Sequence, residues 1–148
     1  MLLLGNFQHS LDDKNRIRLP AKYREKLGND YILMPGIDGC IFLYSSDAED
    51  KFLKAVEEME FDSDKSDIID LISEMSATVE ADSQGRFMIT DELLKYASID
   101  KDVRIVGSFK RIEIWSEEIY LQRHEKKDRS PEAVNEAFKE FHKVVFNK

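Results

Sequence analysis

Leu11-Asp12-Asp13-Lys14-Asn15-Arg16-Ile17-Arg18-Leu19-Pro20 returns about seventy residues later as Ala81-Asp82-Ser83-Gln84-Gly85-Arg86-Phe87-Met88-Ile89-Thr90. Each copy runs Asp, three residues, Arg, and then a short apolar run. The residue before the Arg is Asn15 or Gly85, types that tolerate positive φ in a tight turn. Each copy therefore predicts a strand, a turn at Asp12–Asn15 or Asp82–Gly85, and a second strand starting at the Arg, in the manner of a hairpin. The Asp side chain can cap the turn's own amides, which makes Asp12, Asn15, Asp82 and Gly85 the turn-structuring residues. The Arg projects from the far end.

Outward from the first turn, Ile17 and Leu19 share one strand face while Arg16 and Arg18 share the other, side by side. Pro20 opens a short helix over Ala21–Leu27, and Gly28 stops it. Tyr31–Met34 and Cys40–Tyr44 read as apolar strands. Ser46 or Asp47 caps a helix carrying Phe52, Leu53, Val56 and Met59, and a second helix over Asp67–Met75 presents Ile68, Ile69, Leu71 and Ile72.

The second copy repeats the order: Thr78–Ala81 leading in, the turn, the Arg86–Ile89 strand, a helix over Asp91–Ala97, then strands at Val103–Gly107 and Ile112–Ser116. One residue inserted around Ser98–Lys101 aligns it with the first. The last stretch opens with Ser130-Pro131-Glu132 and carries Val134, Phe138, Phe141 and Val145 on one helical stripe that calls for a partner. The expected class is α+β with a mainly β core: duplicated β modules at 5–47 and 76–119, connecting helices at 48–75, and a C-terminal helical segment at 120–148.

The net charge of −8 over 148 residues argues at first against nucleic acid, but its distribution matters more. Lys14, Arg16, Arg18, Lys22, Arg24 and Lys26 crowd one stretch, opposed there by Asp12, Asp13 and Glu25. Between Asp47 and Asp70 ten carboxylates face only Lys51, Lys54 and Lys65. That asymmetry fits a cationic working face on an acidic body, although two ordinary solvated faces would look the same. Cys40 is the sole cysteine, which rules out an internal disulfide or thiolate zinc site and reads as a small buried hydrophobe. His9, His124 and His142 are scattered, so no metal or cofactor is expected. No Ser, His, Cys and acid cluster offers a catalytic set, and the expectation is a non-enzyme. No apolar run approaches a membrane span, and Met1–Leu4 lacks the form of a signal peptide; a soluble cytoplasmic protein is expected.

Leu4-Gly5, His9-Ser10-Leu11-Asp12-Asp13-Lys14-Asn15-Arg16, Leu19-Pro20-Ala21-Lys22-Tyr23-Arg24 and Gly36-Ile37-Asp38-Gly39-Cys40 resemble the MraZ family, as do Asp82-Ser83-Gln84-Gly85-Arg86 and Ile112-Glu113-Ile114-Trp115-Ser116. The resemblance covers nearly the whole chain. It implies two AbrB-like, swapped-hairpin-type β modules, an octamer-like homo-oligomeric ring, and a nucleoid-associated transcription factor. Such a factor binds repeated boxes upstream of the division and cell-wall gene cluster containing its own gene. The DNA-contacting Arg of each turn carries over to Arg16 and Arg86. Asn15 stands where the first copy usually has Gly, and Thr90-Asp91 replaces a common proline pair. The second copy also lacks a basic cluster in its helix, so Arg86 is expected either to contribute less than Arg16 or to work mainly in structure.

From spacing alone, two roles are open to Arg16 and Arg86: pairing with Asp12 and Asp82, or DNA contact. Both can hold. A guanidinium can bond guanine in the major groove or grip a phosphate, and a two-stranded ribbon fits that groove. Lys14, Arg18, Lys22 and Arg24 complete the expected DNA-binding set, with the lysines and Arg24 as phosphate contacts. An acidic module alone should bind weakly, so assembly would supply affinity, and head-to-tail subunits would match direct repeats rather than a palindrome. The alternative is an antitoxin-type AbrB-like module whose partner is another protein.

Overall fold

The computed structural model describes residues 1–147, without the side chain of residue 63; residue 148, the end of the expected C-terminal segment, lies outside the described residues. The first copy comprises β1 (Asn6–Ser10), β2 (Arg16–Arg18), α1 (Ala21–Leu27), β3 (Asp30–Pro35) and β4 (Ile41–Ser45). Two helices follow, α2 (Glu49–Glu60) and α3 (Ser66–Met75). The second copy is β5 (Ala77–Glu80), β6 (Arg86–Met88), α4 (Asp91–Tyr96), β7 (Asp102–Gly107) and β8 (Ile112–Ser116). The chain ends with α5 (Glu117–Lys126) and α6 (Pro131–Phe146). The class is α+β, as expected.

The two copies are interlaced. One antiparallel sheet runs β1-β7-β8-β4-β3-β5, and a second contains only β2 and β6. The larger order reads the same when the copies are exchanged, so the unit has an internal pseudo-two-fold axis. β3–β4 and β7–β8 pair within a copy, whereas β1–β7, β3–β5, β4–β8 and β2–β6 pair across copies.

This corrects the simple hairpin expected around each turn. The turn itself closes, with the Asp12 N–H donating to the Arg16 carbonyl at 3.0 Å and the Asn15 N–H to the Asp12 carbonyl at 3.0 Å. The strands on either side then part: β1 joins β7, and β2 joins β6. A three-residue strand has too little surface to stand alone. β2 finds its partner where Ile17 meets Phe87 across the ladder, both side chains being buried.

Burial repeats with the pairing. β3 buries Tyr31 and Leu33, and β7 buries Val103 and Ile105 at the same positions of the same alternation. β2 and β6 each bury only the middle residue. Behind the ribbon, Phe87 packs edge-on to Tyr31 with ring centroids 5.1 Å apart. α1 and α4 cover this core with Tyr23 and Leu27, and with Leu93 and Leu94. Cys40 is fully buried, as expected of a small hydrophobe.

Two local expectations need adjustment. The hydroxyl nearest α2 that acts as a cap is Ser45, which accepts the Asp47 N–H at 3.2 Å, one residue before the expected position. The inserted residue of the second copy is two at 98–101, offset by a shorter β7–β8 connection than the β3–β4 one, where Asp38 turns with φ 64°. Neither α2 nor α3 contributes a fully buried side chain; Phe52, Val56, Ile69 and Ile72 are half-buried, and Leu71 is exposed.

Residues 1–117 form one compact unit, and a second begins at Glu118. Within the second, Ser130 caps α6 by accepting the Ala133 N–H at 3.2 Å, and Val134, Phe138, Phe141 and Val145 are exposed. Among the described residues no helix is long and apolar enough to cross a membrane.

Candidate nucleic-acid interface

Each turn is built around its carboxylate. Asp12 Oδ1 accepts the backbone N–H of Lys14 at 2.9 Å and of Arg16 at 2.8 Å, while Oδ2 accepts Arg16 Nε at 2.8 Å. Asp82 repeats this with the N–H of Gln84 and of Arg86, each at 2.9 Å, and with Arg86 Nε at 3.1 Å. Asn15 and Gly85 take the required positive φ, 57° and 82°. The N–H of Arg16 and that of Arg86 are the main cause holding the Asp12 and Asp82 carboxyls below the ordinary carboxylate value. The pairing expected between Arg and Asp is therefore present in both copies. Among the described residues each guanidinium is engaged through Nε, which leaves its terminal nitrogens available at a fixed position.

The β2–β6 ribbon carries these groups to one surface. Arg16 stands opposite Met88, Ile17 opposite Phe87, and Arg18 opposite Arg86. The middle pair points into the core, so the outer pairs face away from it. Arg18 and Arg86 are like charges directly across a ladder, a destabilising arrangement unless an anion comes between them. Arg18 is exposed and has no ion-pair partner among the described residues.

Arg24 joins from α1. Its Nε donates to the Leu19 carbonyl at 3.0 Å, and its Nη1 lies 3.0 Å from where a β-carbon on Gly85 would stand. A basic residue of the first copy thus lies against the turn of the second. Arg16, Arg18, Arg24 and Arg86 line one open cleft of about 470 Å3, with His9 and Asp12 on its wall. Burial, then the charge of Arg18, holds the His9 imidazole below its ordinary value.

The two lysines are not gathered there. Lys14 sits exposed on the first turn, and only its backbone N–H takes part in the turn's bonding. Lys22 Nζ lies over the rings of Phe7 and Tyr23, 4.9 Å and 5.3 Å from their centroids, outside the cleft lining. Sequence reasoning missed His9, the face-to-face placement of Arg18 and Arg86, and Met88 on the outer face. The alternation in Arg86-Phe87-Met88, read like that in Arg16-Ile17-Arg18, contained the signal for Met88.

Strands exchanged between two copies of one β unit, with an Asp–Arg turn from each meeting at a shared ribbon, define an AbrB-like swapped-hairpin protein. A family model described as "MraZ protein, putative antitoxin-like" matches residues 2–72 and 75–141, and the chain belongs to that family. It is 38% identical over 136 residues to the transcriptional regulator MraZ of Syntrophomonas wolfei, covering 91% of this chain and 95% of that one. The protein of the same name from Clostridium beijerinckii is 38% identical, covering 84% and 88% of the two chains. The one from Caldanaerobacter subterraneus is 33% identical, covering 95% and 99%.

Proposed function

We propose that this chain is a sequence-specific, DNA-binding transcriptional regulator, acting at the nucleoid in the cytoplasm. Its halves 5–47 and 76–119 form one DNA-gripping unit, with 48–75 and 120–148 as helical accessories. The observation that carries the reading is the convergence of Arg16, Arg18, Arg24 and Arg86 on one cleft beside a two-stranded ribbon, in a chain of net charge −8. An acidic protein that gathers four guanidiniums at one narrow ribbon, Arg18 having no ion-pair partner among the described residues, has a polyanion as the natural ligand. The names of the relatives point the same way.

In this proposal Arg16, Arg18 and Arg86 approach base edges or phosphates in the major groove, and Arg24, Lys14 and Lys22 contact the backbone. Asp12 and Asp82 aim the two turn arginines before DNA arrives, lowering the ordering cost of binding. Copies of the chain assemble head to tail as an octamer-like ring on direct-repeat boxes upstream of its own division and cell-wall gene cluster. Linked contacts then supply an affinity that one acidic protomer lacks.

The test is an anisotropy titration on the DNA upstream of the protein's own gene, with box number and salt varied. Binding should tighten steeply with each added direct repeat and weaken steeply with salt. Equal binding to one box removes the assembly. Equal binding to unrelated DNA removes the sequence-specific role. The exposed apolar stripe of α6 and the antitoxin wording of the family description favour a second reading, a protein-interaction module. Co-purification of a stoichiometric partner, with no salt-sensitive DNA retention, would select it.

A further inference from the structure

We infer that the β2–β6 ribbon reads its DNA box in one direction, and that Arg18 and Met88 are the residues that set this direction; the inference rests on the DNA-binding reading above. The internal pseudo-two-fold axis creates the problem that these residues solve. The axis passes through the Ile17–Phe87 pair and exchanges Arg16 with Arg86. A ribbon with true two-fold symmetry would lie equally well on a box and on its reverse complement. A protomer of that kind could not tell a direct repeat from an inverted one.

The outer face of this ribbon is not symmetric. At one end Arg18 stands opposite Arg86, and at the other Arg16 stands opposite Met88. Arg24 adds to the first end, where it lies against Gly85; its equivalent at the second end is Leu94, which is buried. Three guanidiniums therefore crowd one end, and one guanidinium shares the other with an exposed thioether. Met88 is 56% exposed, a large apolar side chain standing free on an otherwise charged surface.

The two ends suit different bases. Paired guanidiniums match the two major-groove acceptors of guanine, or a phosphate held between them, and such an anion would relieve the Arg18–Arg86 repulsion. A flexible thioether has nothing to donate and packs instead on the methyl of a thymine. The favoured box has guanine under the Arg18–Arg86 end and an A·T pair under Met88. Turning the box around places a methyl under two cations and guanine acceptors under Met88, where they go unbonded.

Both side chains are exposed, so they can be exchanged without touching the buried Ile17–Phe87 pair. Ser83 is exposed on the second turn and Cys40 is fully buried, so Ser83→Cys offers one accessible thiol for a tethered DNA-cleaving iron chelate. On DNA from upstream of its own gene, the Ser83→Cys parent should cut one flank of each box. Adding Arg18→Met and Met88→Arg together should move the cuts to the opposite flank. Met88→Arg alone, which leaves Arg24 as the difference between the two ends, should add cuts at the second flank to those at the first. An exchanged variant that binds and still cuts the parental flank overturns the inference and leaves the DNA reading intact. So does an exchanged variant that loses retention, since its guanidinium count is unchanged. A parent not retained on upstream DNA at low salt sinks the DNA reading, and this inference with it.

Discussion

At the first turn Asp12 holds the amides of Lys14 and Arg16 together with Arg16 Nε; at the second, Asp82 holds those of Gln84 and Arg86 with Arg86 Nε. Beyond that shared bonding the copies diverge. Lys14 corresponds to Gln84, Arg18 to Met88, Lys22 to Glu92 and Arg24 to Leu94. The common part is what a tight turn needs in order to fold and to aim one guanidinium. The divergent part is surface charge, a cation at each of these four positions in the first copy and none in the second. Exchange of strands between copies then lets the second turn use the first copy's charges, since Arg18 and Arg24 both lie against Gly85.

The comparison breaks most visibly in the shared core. Phe87→Ala should cost about 3–5 kcal/mol and Ile17→Ala about 2–5 kcal/mol, because each empties one side of a buried cross-copy pair. Either change should lower a single calorimetric transition of residues 1–117. Two separable transitions, one for each copy, would show that the interlacing does not couple them.

The next effect sharpens the contrast at the surface. Loss of a bidentate contact on Arg16→Ala should cost about 1–3 kcal/mol of operator affinity. Arg86→Ala should cost less, because Arg18 and Arg24 remain at its end of the ribbon and one like-charge contact is relieved. Equal losses in the titration would place the two turns on a par.

Smaller still is the backbone contrast before each Arg. Gly85→Val should destabilise by about 1–3 kcal/mol, since a β-branched residue resists the positive φ of 82°. The crowding it causes falls on the flexible arms of Arg24 and Arg18, so strain and not collision carries the cost. Asn15→Gly should stay within about 0.5 kcal/mol, because Asn already accepts that conformation. Denaturant midpoints for the two variants measure the difference.

Acid should affect both turns alike and least of all. Asp12 and Asp82 have carboxyls held below their ordinary value of 3.8, chiefly by backbone N–H donors. A depressed carboxyl stabilises the fold fully above its unfolded value, and that contribution disappears as pH falls from 3.8 through the lower folded value. Asp12→Asn and Asp82→Asn should each flatten the acid arm of the thermal midpoint against pH by a similar amount. Flattening by only one of them would mean that the turns are not equivalent.

Much of this molecule was legible from residue order. The turn at Asp12–Asn15, the strand Arg16–Arg18 with Ile17 inward, and the helix Ala21–Leu27 ending at Gly28 all appear where the pattern places them. So do their counterparts around Asp82, Arg86 and Asp91. The lysines were less legible, because charge density along a chain does not say where a long side chain comes to rest; Lys22 settles over Phe7 and Tyr23.

The sequence by itself determined the turns, the strand faces and the repeated order of elements. A carboxylate capping amides a few residues away, a residue that accepts positive φ, and a two-residue alternation are all short-range effects. Only the tertiary structure decided that β2 would pair with β6 rather than fold back on β1, and so that Arg18 would face Arg86 and Arg24 would reach Gly85. That choice depends on burying Ile17 against Phe87, a contact between residues seventy positions apart. No local pattern encodes it, because the driving force is the apolar surface that two distant strands remove from water together.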